Sequence, residues 1–271
     1  TAGMQQSTNH ELLLRPNWSS DLSDKLRHSS GHGFEEFRRL AKDDTLSKYE
    51  RIGFPDTYRS GKEELIFLDI KNKLSLLNEE KKTVLDIGPG CSDLPGMLVD
   101  HCQARNHSLF MVDSQEMLDR LPGRSFLEKV AAFYPDCPEL VEKLAGKVDV
   151  ILCYSVFHYV FVDTSIFRFL DTSLSLLASG GQMLIGDVPN ISKRKRFFSS
   201  DNGVRFHRNF MNTEESPEPV FNQVEHDQID DAVVFSLLQR ARAQGFDAYV
   251  LPQPAALPMA NRREDILITR P

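Results

Sequence analysis

The apolar positions of this chain change period along its length, and the changes divide it into elements. Over residues 62–78 the spacing of Ile66, Ile70, Leu74 and Leu77 predicts one amphipathic helix with a buried stripe. The short apolar run Val84, Leu85, Ile87 then enters Gly88-Pro89-Gly90, and a helix-like segment follows from about Asp93 to Gln103, so a strand, a tight turn and a helix are predicted in sequence. Further strands are predicted at 108–112, within 126–132, at 147–154 and at 182–186. Between the last two, Ile166, Phe167, Leu170, Leu174 and Leu177 form another helical face, closed by Ser179-Gly180-Gly181. A helix at 230–244, stopped by Gly245, and strands near 248–251 and 266–269 complete the rhythm, with a Pro/Ala loop at 253–261 between the strands. Strands alternating with helices in this way predict an α/β protein with a largely parallel sheet.

Glycine at 88 and 90 allows positive φ and removes the Cβ that would block a ligand, while the helix that follows offers unpaired N–H groups. The turn therefore predicts a nucleotide-type pocket. It lacks the third glycine of a dinucleotide fingerprint and the Gly-Lys-Ser/Thr of a phosphate loop. Asp86, just before it, would repel a pyrophosphate but accept hydrogen bonds from an ammonium or a sugar hydroxyl. A cationic nucleoside without phosphate is favoured, and a nicotinamide dehydrogenase is disfavoured. Asp113 ends the next strand somewhat over 20 positions later, where a carboxylate can accept both ribose hydroxyls.

Composition narrows the class. The chain has 271 residues, 41% hydrophobic and 26% charged, enough for one large domain or a domain with a cap. A formal charge of -7 argues against general nucleic-acid binding. Its four cysteines form no C-x-x-C pair, so neither a metal site nor a disulfide scaffold is indicated, and reduced thiols in a cytoplasmic protein are expected. No apolar run approaches the roughly 18 residues of a membrane span, and no signal peptide is visible.

Asp86-Ile87-Gly88-Pro89-Gly90 resembles the first motif of class I S-adenosylmethionine-dependent methyltransferases, with Ser92 standing at the third glycine, and Asp113-Ser114-Gln115-Glu116-Met117-Leu118 resembles their second. The resemblance implies a three-layer Rossmann-like fold: a seven-stranded, mostly parallel sheet with a C-terminal antiparallel hairpin. Residues 62–271 would be that core and residues 1–61 an N-terminal helical cap, with helical patches around Leu22–Leu26 and over 33–46. It also implies S-adenosylmethionine as cofactor, S-adenosylhomocysteine as product, and a cofactor site at Asp86, Gly88, Pro89, Gly90, Asp113 and Ser114. In similar enzymes a basic residue ahead of the first strand holds the methionine carboxylate, for which Arg59 is the candidate. Phe133 falls where such enzymes bind adenine and can stack on it. Cys153, Tyr154 and Ser155 end the strand that should face the methyl-transfer region.

Two histidines are candidate general bases. His158 follows the fourth strand in a stretch resembling the fourth methyltransferase motif, where a pKa near neutrality would suit it to the task. His207 lies in a segment at about 191–229 that breaks the α/β rhythm, opens with the basic run Lys193-Arg194-Lys195-Arg196 and is expected to be a lid or a disordered insertion. Arg205 and His207 would there meet an anionic, sugar-like acceptor; Asp187 is either a substrate contact or a cap; and Arg262-Arg263-Glu264-Asp265 reads as a salt-bridged surface turn. The expected activity is methyl transfer to an oxygen or nitrogen of a small polar molecule. A non-catalytic cofactor-binding scaffold is the alternative, and the acceptor and oligomeric state stay open.

Overall fold

The computed structural model describes residues 33–223 and 225–271, and the expected helical patch around Leu22–Leu26 lies outside them. Gly33–Pro271 forms one compact unit. Its centre is a seven-stranded sheet in the order β3-β2-β1-β4-β5-β7-β6. The strands are β1 (Thr83–Ile87), β2 (Ser108–Asp113), β3 (Leu127–Ala131), β4 (Val148–Tyr154), β5 (Leu177–Pro189), β6 (Asp247–Pro252) and β7 (Arg263–Thr269). The first five pair in parallel, while β7 runs antiparallel between β5 and β6. The chain thus winds outward from β1 to β3 and then returns to β4 beside β1, which puts the switch point, where ligands gather in open sheets, between β1 and β4.

The central strands are apolar throughout because both faces are covered. Leu85, Ile87, Ile151, Cys153, Met183 and Ile185 join one core layer with Phe169, Leu170 and Leu237 from the helices Ile166–Leu176 and Asp231–Ala243. Val84, Val150, Leu152, Tyr154 and Leu184 join the opposite layer. That layer also contains Ile66, Ile70, Leu74 and Leu77, at 2, 0, 0 and 0% exposure. The predicted stripe is therefore real, but the helix ends at Lys73 and a 3-10 turn, Ser75–Asn78, carries Leu77 inward.

The expected lid segment contains two helices, α9 (Ile191–Phe198) and α10 (Asp201–Met211), numbered in a series that runs α1 (Phe34–Lys42), α2 (Asp56–Arg59), α3 (Glu63–Lys73), α4 (Asp93–Ala104), α5 (Gln115–Leu118), α6 (Pro138–Leu144), α7 (Phe157–Asp163), α8 (Ile166–Leu176) and ends at α11 (Asp231–Ala243). Asn190 caps α9 by accepting from the N–H groups of Ser192 and Lys193, and Ser200 caps α10. The basic run is tied to the acidic stretch after it, through Lys195 to Glu225 at 2.8 Å and Arg196 to Asp231. Its charge is largely answered locally.

Two other expectations change. The fifth strand begins at Leu177 rather than after the glycines, pairing Leu177 with Val148 before a register shift. Glu264 and Asp265 are not a surface turn. They are 8% and 0% exposed and open β7 toward the interior.

Candidate functional site

A pocket opens at the carboxyl ends of β1, β2 and β4. Gly88, Pro89 and Gly90 form one wall, with φ of 69° at Gly88 and 67° at Gly90. Both glycines are required for space as well as for backbone angle. A Cβ on Gly88 would lie 2.7 Å from a Val156 methyl, and one on Gly90 would lie 2.7 Å from an Ile52 methyl. Ser92 and Leu94, at the N-terminus of α4, line the pocket beside the turn.

Asp113 is fixed opposite. One of its carboxylate oxygens accepts the N–H of Gly90 at 3.0 Å and the other accepts the N–H of Ser114 at 2.6 Å, so the strand end and the glycine turn are bolted together through one side chain. Burial pushes its pKa up to about 6, against the pull of those N–H donors. Asp86 lies behind the turn, 4% exposed and outside the pocket wall; burial first and Asp113 second raise it to about 8, so it is mostly protonated at neutral pH.

The remaining walls come from farther away. Phe34, Phe37, Ile52, Phe54 and Arg59 enter from the segment before the sheet, and Phe133, Tyr154, Ser155, Val156 and Tyr159 from the β3 and β4 ends. Phe34 meets Phe133 edge-on at 5.2 Å and Phe37 meets Tyr159 at 4.6 Å. The segment before the sheet is held by ion pairs, Arg38 to Glu116 at 3.0 Å and Lys48 to Asp93 at the start of α4.

Arg59 is 3% exposed and lies over the Phe54 ring at 4.4 Å. It donates to the Ser155 hydroxyl, which in turn donates to Asp187, and its guanidinium is 3.5 Å from the same Asp187 carboxylate. Arg263 donates to the same carboxylate oxygen at 3.1 Å. Ser155 and Asp187 both take positive φ, 61° and 57°, at neighbouring strand ends. Non-glycine residues hold such angles where the surroundings over-determine them, as ligand sites do.

Besides Asp86, the candidates Cys153, Ser114, His207 and His158 fall outside the pocket wall. Cys153 faces the core layer of Phe169, because the two-residue period of a strand that turns Tyr154 toward the pocket turns Cys153 away. Ser114 is buried, and its hydroxyl accepts the N–H of Met117 as the cap of α5. His207 lies on α10 edge-on to Phe198 at 6.2 Å, and Arg205 beside it donates to Asn202. His158 packs on Tyr159 with ring centroids 3.9 Å apart. Its pKa is lowered to about 3, by burial first and then by Arg263 and Arg59, in place of the near-neutral value expected. Phe34 and Phe37 are not among the sequence candidates, although their helical spacing is a usable signal. Arg263, paired to Asp187, had none.

No group of three or more His, Cys, Asp or Glu side chains among the described residues is placed to hold a metal ion, and no helix among them is long and apolar enough to cross a membrane.

A family described as a methyltransferase domain matches residues 58–215, more than half of the chain. The chain belongs to that family, and with this sheet order and glycine turn it is a class I S-adenosylmethionine-dependent methyltransferase by descent and fold. No curated protein matches it. Among solved structures, the plantazolicin methyltransferase BpumL, crystallised with a triazolic desmethylPZN analog and SAH, is similar with a TM-score of 0.54 at 12% identity, over 88% of this chain and 99% of that one. A SAM dependent methyltransferase from Aquifex aeolicus gives 0.50 at 15% identity, over 82% and 96%. The CurJ carbon methyltransferase gives 0.52 at 14% identity over 79% of this chain, which spans only 56% of that one. At these identities the likeness is one of fold.

Proposed function

We propose that the protein transfers a methyl group from S-adenosylmethionine to an oxygen or nitrogen atom of a small polar acceptor. The observation that carries this reading is the Gly88–Gly90 turn, hydrogen-bonded to Asp113 and facing the pocket. Gly88, Pro89 and Gly90 would let the nucleoside approach the backbone, and Asp113 would accept its ribose hydroxyls. Phe133 would lie against the adenine, and Arg59, with Tyr154 and Ser155 beside it, would hold the methionine carboxylate. Residues 33–61 act as a cap in this reading, since Phe34 to Arg59 supply one wall of the pocket.

When bound, the cofactor supplies an electrophilic methyl carbon on a sulfonium sulfur. The chain's part is to hold acceptor and methyl in line at about 3 to 3.5 Å and to exclude water. The aromatic wall of Phe37, Phe54 and Tyr159 supports that exclusion. His158 and His207 stand outside the pocket wall, so the reading rests the rate on positioning rather than on a basic side chain.

Calorimetric titration with S-adenosylmethionine, S-adenosylhomocysteine and NAD tests the assignment. Binding of the first two at about micromolar Kd, with no binding of NAD, is expected. NAD binding alone would overturn it, and turnover on any acceptor would exclude a scaffold that only binds.

A further inference from the structure

The residues proposed to hold the cofactor follow one another along the sheet edge. Arg59 is fixed at the ends of β4 and β5 through Ser155 and Asp187, Asp113 stands at the end of β2, and Phe133 follows β3, the outermost strand on that side. In the proposed function they take the methionine carboxylate, the ribose and the adenine. The base end of the pocket is therefore the end beside Phe133. Phe34 meets Phe133 there at 5.2 Å and opens α1.

Adenine brings a hydrogen-bond donor to that end, its 6-amino group, and burying a donor without an acceptor is costly. The side chains of Phe34, Ala132 and Phe133 offer no acceptor, and the Tyr134 hydroxyl is already bonded to Ser173 at 3.0 Å. Asp136, in the same loop, lies outside the pocket wall and pairs with Arg168.

Asp163, the last residue of α7, does line the pocket. The charged residues of the wall are Arg59, Asp113 and Asp163, and the first two already have tasks. Packing sets the third beside Phe34: its carboxylate oxygens lie 3.2 and 3.3 Å from where a Cβ on Gly33 would stand. Gly33 is extended, with φ -93° and ψ -174°, which any residue adopts, so glycine there serves space rather than backbone angle. The N–H of Phe34 donates to the same carboxylate, which thereby caps the first turn of α1. A carboxylate has about four acceptor sites, and this one is exposed, so it can take a further donor.

We propose that Asp163 selects the cofactor's base: its carboxylate accepts a hydrogen bond from the 6-amino group of adenine while it holds the start of α1. The proposal rests on the methyltransferase reading for which ligand lies in the pocket and which way round. A 6-oxo purine would turn lone pairs toward the same carboxylate and be rejected.

The test is calorimetry on the full chain with S-adenosylhomocysteine and with S-inosylhomocysteine, which carries an oxygen in place of the 6-amino group. The first should bind about tenfold or more tightly. Asp163→Asn, whose amide can donate to a 6-oxo group, and Asp163→Ala, which offers neither donor nor acceptor, should each bring the two ligands within about threefold of one another. Thermal unfolding of both variants checks that they fold. A carboxylate that served only to hold α1 would weaken both ligands alike in the variants and leave their ratio unchanged, and that result would overturn the proposal. Equal binding of the two ligands by the unsubstituted chain would also overturn it, with no variant needed, and would leave the methyltransferase reading standing. Binding of neither would overturn both.

Discussion

The two halves of this sheet edge are built on opposite plans. At the ends of β1 and β2 the pocket-facing surface is mostly backbone: two glycines at positive φ, the first turn of α4, and one carboxylate holding them in register. At the ends of β4 and β5 and the start of β7 it gives way to side chain, with Arg59 and Ser155 at the pocket interlocked with Asp187 and Arg263 behind them through one buried carboxylate. The first half should tolerate changes of charge better than any added atom. The second should tolerate small changes of shape better than the loss of one charge. A cofactor shared by a whole family suits a surface written in backbone, whereas a particular acceptor is recognised by groups that can differ from one member to the next.

Asp187→Ala is the variant that should break this contrast most sharply. It leaves Arg59 and Arg263 buried without their common partner and should cost about 3 to 5 kcal/mol of stability, as removal of one member of a buried ion pair does. Chemical denaturation would read this directly, and a loss below about 1 kcal/mol would mean that the network is wetter and weaker than its geometry implies. Gly88→Ala makes the converse change, adding one carbon and no charge. Left-handed strain of about 1 to 2 kcal/mol combines with a contact 2.7 Å from Val156, and the total should be about 2 to 4 kcal/mol. Cofactor binding should be lost at the same time. A variant that bound S-adenosylhomocysteine normally would show that the turn is structural.

The same contrast explains what could be read from the chain and what could not. The glycine-turn half is local: Asp86 to Gly90 and Asp113 each sit at a strand end whose apolar run announces it, so strand, turn and carboxylate were legible from period and spacing. The sheet was legible for the same reason, because buried parallel strands are continuous apolar runs. Cys153 was misplaced by treating a strand end as one surface, where the two-residue period sends alternate side chains to opposite faces. The other half joins positions 59, 155, 187, 253 and 263, and nothing local marks Arg263 as facing Asp187 rather than solvent. A charged quartet such as Arg262 to Asp265 reads as surface on composition alone. Only the pairing of β7 against β5 reveals that it opens a central strand.

Asp113 belongs to both plans, a side chain whose work is to hold backbone. Asp113→Ala should weaken S-adenosylhomocysteine binding by about 1 to 3 kcal/mol, as loss of a charged hydrogen-bond partner does. Calorimetry that found the affinity unchanged would remove the ribose assignment.

A smaller effect needs no mutation. Burial raises Asp113 to about 6, above the unfolded value of about 3.9. Its contribution to stability is therefore fully present below pH 4 or so and is lost as pH rises through about 6, because the folded state holds the proton more tightly. Cofactor binding should run the other way. Only the ionised carboxylate accepts from both ribose hydroxyls, so affinity should climb through pH 6 and level off above it, by about tenfold between pH 5 and pH 7.5. The stabilisation conferred by S-adenosylhomocysteine, read as a shift in Tm, should accordingly be larger at pH 7.5 than at pH 5. Asp113→Asn should bind more weakly but flatten the profile. A profile that kept its step in that variant would assign the titration to another group, with Asp86, raised to about 8 by its own burial and by Asp113, as the neighbour to examine next.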